Sequence, residues 1–92
     1  MLEAQIQKRI LDYLKTVPNC WVVKVMTANK NGVPDILVCL HGRFFAFEVK
    51  TQTGRTAPIQ DYQLAQIQAA GGTAAVVRSV EDVKKFIETT SH

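Results

Sequence analysis

Gly32-Val33-Pro34-Asp35-Ile36-Leu37-Val38-Cys39-Leu40-His41-Gly42-Arg43-Phe44-Phe45-Ala46-Phe47-Glu48-Val49-Lys50 is the stretch that decides how this chain folds. Two apolar runs flank His41-Gly42, a two-residue turn signal that pairs strands antiparallel. The start of the first run then lies beside the end of the second, which carries Asp35 towards Glu48. Side chains alternate along a strand, so Glu48 and Lys50 share a face while Val49 points to the other. The pairing register decides whether Asp35 joins them.

Charges at the ends of core strands need a reason. Burying an unpaired carboxylate costs several kcal/mol or forces it to take up a proton, so two acids and a lysine placed there suggest a metal-centred site. A small number of carboxylates, with water completing the shell, suits Mg²⁺ or Mn²⁺; zinc prefers His and Cys. The plain alternative is a surface salt bridge of Lys50 with Glu48 or Asp35, and for an isolated Glu-x-Lys that alternative is the better one.

On the N-terminal side, residues Leu2 to Val17 read as an amphipathic helix, with Ile6, Ile10, Tyr13, Leu14 and Val17 at three-and-four spacing and Pro18-Asn19 as its stop. Glu3 falls on the same stripe, where a first-turn acid also suits the helix dipole. Trp21 to Thr27 has no helical period and reads as a first strand, with Trp21 as core packing. The polar loop Ala28-Asn29-Lys30-Asn31-Gly32 follows, and Pro34 helps to aim Asp35 into the next strand.

Beyond Lys50, residues 51–57 form a loop and a helix runs from about Pro58 to Ala70, with Gln60, Leu64 and Ile67 on one stripe and Gly71-Gly72 as its stop. Thr73 to Arg78 is a buried strand reached through that helix, so it pairs parallel with the third strand by a right-handed crossover. Ser79 caps a last helix in a Ser-x-x-Asp box with Asp82, with Val80, Val83, Phe86 and Ile87 as the apolar face. Thr89 to His92 reads as a frayed end.

The 92 residues make one domain, 1–92, with 47% hydrophobic and 21% charged residues, and no apolar run near the roughly 20 residues of a membrane span. No signal-peptide core is present, so a cytoplasmic location is expected, with Cys20 and Cys39 as core thiols in a reducing compartment. Neither a membrane partner nor a nucleotide cofactor is expected. The net charge of +3 and pI near 9.1 lean towards nucleic acid. Lys30 and Arg55, in polar loops flanking the carboxylates, are the residues best placed for phosphate contact.

Pro-Asp opening a strand, a hairpin, and Glu-x-Lys closing the next strand resemble the PD-(D/E)XK nuclease superfamily. The chain is similar more narrowly to its VRR-NUC (virus-type replication-repair nuclease) family, through Glu3, Gly32-Val33-Pro34-Asp35, Glu48-Val49-Lys50, Gly54-Arg55, Pro58, Gln60 and Ala70-Gly71-Gly72. The resemblance implies an α/β fold with an αβββαβ core, a C-terminal helix and a mixed four-stranded sheet flanked by helices. It implies Glu3 and the Val49 carbonyl as further metal ligands beside Asp35 and Glu48, and Gln60 as a supporting residue with Lys50 near the attacking water or the phosphate.

The function implied is a Mg²⁺- or Mn²⁺-dependent, structure-selective DNA endonuclease. Stand-alone members are similar in size and suggest a homodimer that cuts branched DNA such as four-way junctions, in a bacterial or phage-infected cell. A catalytically silent nucleic-acid-binding domain on the same fold is disfavoured because every expected acid and the lysine are present. A sequence-specific restriction-type enzyme is disfavoured because little chain is left for recognition.

Overall fold

The turn at His41-Gly42 takes positive φ at both residues, 51° and 76°, in the computed structural model, which describes residues 1–89. Two successive left-handed residues match the natural twist of a hairpin, and glycine at the second relieves the Cβ clash. The turn joins β2 (Ile36–Leu40) to β3 (Arg43–Val49) and pairs Leu40 with Arg43 and Ile36 with Phe47. One further step of that register sets Asp35 opposite Glu48. Directly opposed residues share a sheet face, so the question left open by the sequence resolves in favour of convergence.

The strand β1 (Cys20–Lys24) pairs antiparallel with the other side of β2, and β4 (Thr73–Val77) pairs parallel with β3, in the order β1-β2-β3-β4. The parallel step is made through helix α2 (Pro58–Ala69), while α1 (Glu3–Lys15) and α3 (Val80–Thr89) are the other two helices. The mixed sheet and helix order are those of the αβββαβ core with a C-terminal helix. On one face, Ile36, Val38, Phe45, Phe47 and Val49 pack with Ile6, Ile10 and Leu14 of α1 and with Val83 and Ile87 of α3. On the other, Ala46 and Ala74 admit Leu64 of α2. Small residues there let α2 approach β3 closely enough for its first turn to reach Glu48.

Several local expectations change. The first strand ends at Lys24 rather than near Thr27; only the Val25 N–H still reaches the Asp35 carbonyl, at 2.8 Å, before the chain leaves the sheet. Trp21 is 58% exposed rather than core, and Cys39 is exposed rather than a core thiol. The reason is shared: both lie on the face that carries α2, and α2 packs over β3 and β4, leaving the β1–β2 half open. Both cysteines are free, with Cys20 half-buried. At α3, the Asp82 N–H donates to Ser79 Oγ at 3.1 Å, but the Asp82 carboxylate accepts from the Arg78 N–H at 2.9 Å, one residue before the position a capping box uses. The frayed end read over residues 90–92 lies outside the described residues.

Gly32 is held at φ 78°, and a Cβ there would sit 2.8 Å from the Ile59 carbonyl oxygen in the first turn of α2. Backbone cannot step aside as a flexible side chain would. Gly32→Ala is therefore expected to lower the unfolding free energy by roughly 1–3 kcal/mol, combining the left-handed backbone cost with the clash. Urea unfolding of the two proteins checks this.

Candidate active site

Asp35 stands at the mouth of β2, directly after the buried Pro34, and its Oδ2 accepts a hydrogen bond from the Val49 N–H at 2.8 Å. That bond ties the acid to the backbone between Glu48 and Lys50. Glu48 is 2% exposed, the sole charged residue among the buried side chains described. Lys50 leaves β3 on the same face, with Nζ 3.8 Å from Glu48 Oε2, an ion pair too long for a hydrogen bond.

Gln60 approaches from α2 and works at both ends of its amide. Its Oε1 accepts from the Ala57 N–H at 2.8 Å, and its Nε2 lies 3.4 Å from Glu48 Oε2 as donor. The sequence offers Gln60 as a helix cap or as a site residue, and the geometry makes it both. Pro58 at the first turn needs no N–H partner, so the cap falls to the third helical residue, whose amide then projects towards the sheet.

The electrostatics follow from burial. The Glu48 carboxyl is pushed up to about 8, first by loss of water, then by the hydrogen bond and negative charge of Asp35 opposite; Lys50 pulls it down, and Glu3 adds a small upward push. Two facing carboxyls in a half-dry site cannot both carry charge comfortably. They hold a proton between them or gain from a cation. The donor set is hard oxygen, which suits Mg²⁺ or Mn²⁺ with water, whereas Cys20, Cys39 and His41 lie towards the other end of their strands, away from the acids. Among the described residues no buried side-chain polar atom lacks a partner.

The structure therefore brings together Asp35, Glu48, Lys50, Gln60 and the Val49 backbone. It does not bring Glu3 into contact with them. Among the described residues no three of His, Cys, Asp or Glu lie close enough to share an ion. Glu3 is half-buried in the first turn of α1, which packs against the opposite sheet face, so its charge is felt at Glu48 without sharing a ligand shell. Lys30 and Arg55 are exposed in the loops before β2 and before α2 and have no ion-pair partner among the described residues. One further residue was not singled out by its sequence position: Arg78, half-buried, donates from its guanidinium to the carbonyls of Thr51 and Gly54. A lone arginine closing an apolar strand carries no sequence signal of that.

No protein-family model matches the sequence, and no curated protein does. Solved structures do. A protein named VRR_NUC domain is 28% identical with TM-score 0.80, with 96% of each chain covered. A second, named VRR_NUC domain protein, is 16% identical with TM-score 0.81, over 96% of this chain and 86% of its own. Hjc of Archaeoglobus fulgidus, a Holliday junction resolvase from an archaeal hyperthermophile, is 20% identical with TM-score 0.63, over 83% of this chain and 67% of its own. The last two show a shared fold. The first adds 28% sequence identity along nearly the whole length to a carboxylate pair and lysine already in place, so the chain is similar in both fold and sequence to a VRR_NUC domain.

Proposed function

We propose that the protein is a divalent-metal-dependent endonuclease that hydrolyses phosphodiester bonds in branched DNA, four-way junctions included, and acts as a homodimer. The observation that carries this reading is the opposition of Asp35 and buried Glu48 across the β2–β3 pair, with the Lys50 ammonium beside them. That arrangement stores negative charge where a cation and a phosphate meet. Likeness to the archaeal Holliday junction resolvase supports the choice of junctions. A two-fold substrate is served best by two symmetric sites.

Asp35, Glu48 and the Val49 carbonyl would hold Mg²⁺ or Mn²⁺. When bound, the ion neutralises charge on the scissile phosphate and makes a water acidic enough to attack at neutral pH. Lys50 orients that water and offsets the negative charge gathering on the phosphoryl oxygens as the bond to the leaving sugar oxygen breaks. Gln60, anchored by the Ala57 N–H, keeps Glu48 turned towards the lysine. Lys30 and Arg55 contact neighbouring backbone phosphates from their loops.

The test is labelled linear duplex, flap and four-way-junction DNA incubated with the protein in Mg²⁺, Mn²⁺ or EDTA, beside Asp35→Asn, with the solution mass measured in parallel. Metal-dependent cuts concentrated at the junction, lost in the variant, are expected. Intact DNA with binding retained makes this a silent DNA-binding domain, and sequence-fixed cuts in linear duplex make it a restriction-type enzyme.

A further inference from the structure

We infer that Arg78 is a positioning residue for Lys50, holding the backbone that carries the lysine from its C-terminal side. Lys50 sits where β3 ends, and a strand end has no further ladder to fix it. Its N–H donates to the Val77 carbonyl at 3.0 Å, the last bond of the β3–β4 pairing. Immediately beyond it the chain enters a turn at residues 51–54, closed by the Gly54 N–H on the Thr51 carbonyl at 3.2 Å. Nη1 of Arg78 donates to both ends of that turn, to the Thr51 carbonyl and, at 2.8 Å, to the Gly54 carbonyl.

The clasp is itself anchored. The Arg78 N–H donates to the Asp82 carboxylate at 2.9 Å, and Asp82 is held by Ser79 Oγ at the start of α3. Two adjacent residues of the β4 end, Val77 and Arg78, thus grip Lys50 before and after its Cα. The turn is closely packed as well, since a Cβ on Gly54 would lie 3.0 Å from Thr51 Oγ1. The guanidinium spends its hydrogen bonds here on carbonyls rather than on a carboxylate, which suits holding a loop and leaves the positive charge unneutralised.

Lys50 Nζ is already 3.8 Å from Glu48 Oε2, so a small slide of its backbone changes where the ammonium meets the phosphate. A misplacement of about 1 Å can cost on the order of 10²-fold in rate. Both donated bonds leave a single nitrogen. A lysine ammonium, also one nitrogen with several protons, can make the same pair, whereas methionine keeps the apolar stem and makes neither.

The catalytic arm of this inference rests on the nuclease reading; the structural arm does not. Arg78→Met and Arg78→Lys are compared with the parent by amide hydrogen exchange, by single-turnover cleavage at saturating junction DNA, and by DNA affinity in EDTA. The methionine variant should lose exchange protection at Lys50 and Gly54 alone and slow cleavage on the order of 10²-fold, with affinity changed by no more than about twofold. The lysine variant should recover both protection and rate.

Unchanged protection and rate in Arg78→Met overturn the assignment. So does loss of affinity that accounts for the whole rate deficit, which makes Arg78 a phosphate contact, and so does loss of protection throughout the chain, which makes it a general stability residue. If the parent leaves every DNA intact, the nuclease reading fails, and the exchange result alone decides whether Arg78 holds the turn.

Discussion

On the proposed nuclease reading, Lys50→Ala should lower single-turnover cleavage by about three orders of magnitude while DNA affinity in EDTA stays within a few-fold. The asymmetry comes from where the lysine sits. Its side chain is only 12% exposed and faces Glu48, so it contributes little to a long-range positive surface that gathers DNA. On that reading its ammonium acts as further negative charge builds on the phosphoryl group, which carries more in the transition state than in the ground state. The loss should therefore appear in the rate at saturating DNA. Removing the ammonium also removes the one contribution that pulls the Glu48 carboxyl down, which makes the acid pair still less ready for a cation. Turnover retained in the variant would remove Lys50 from the mechanism.

Glu48→Gln should make the protein more stable and inactive together. The Glu48 carboxyl holds its proton up to about 8 in the folded chain, against an ordinary value of 4.5. A native state that binds a proton the unfolded chain releases loses stability as pH rises. The contribution is fully present below about 4.5 and is lost progressively until about 8. A neutral amide of the same shape avoids that loss. In EDTA at pH 8, Glu48→Gln should exceed the parent by about 1–3 kcal/mol in urea unfolding, with the gap closing near pH 5. Added Mg²⁺ should then stabilise the parent and leave the variant unmoved, because binding to the folded state alone raises its apparent stability. A gap of the same size at pH 5 and pH 8 would remove Glu48 as its source.

Much of the site was legible along the chain because its parts are local. Asp35, Glu48, Val49 and Lys50 fall within one hairpin, and a two-residue turn leaves little freedom in how its strands align. His41-Gly42 therefore carried most of the information about which residues would meet. Gln60 was legible in part: its helix and stripe could be read, but its double use as cap and as donor to Glu48 depends on how closely α2 lies on Ala46 and Ala74. Trp21 and Cys39 were misread as core because an apolar strand residue announces burial without saying whether a helix covers that half of the sheet.

The sequence by itself determined the order of elements, the antiparallel hairpin and the shared face of Glu48 and Lys50 at its open end, since these follow from alternation, turn chemistry and short separation. Tertiary structure decided the rest. The register placed Asp35 opposite Glu48, and packing of α1 on the far face kept Glu3 from joining them. The end of β4 brought Arg78 to the turn after Lys50, 27 residues away from Thr51. Contacts of that separation depend on how layers stack, and no local pattern of residue types encodes the stacking.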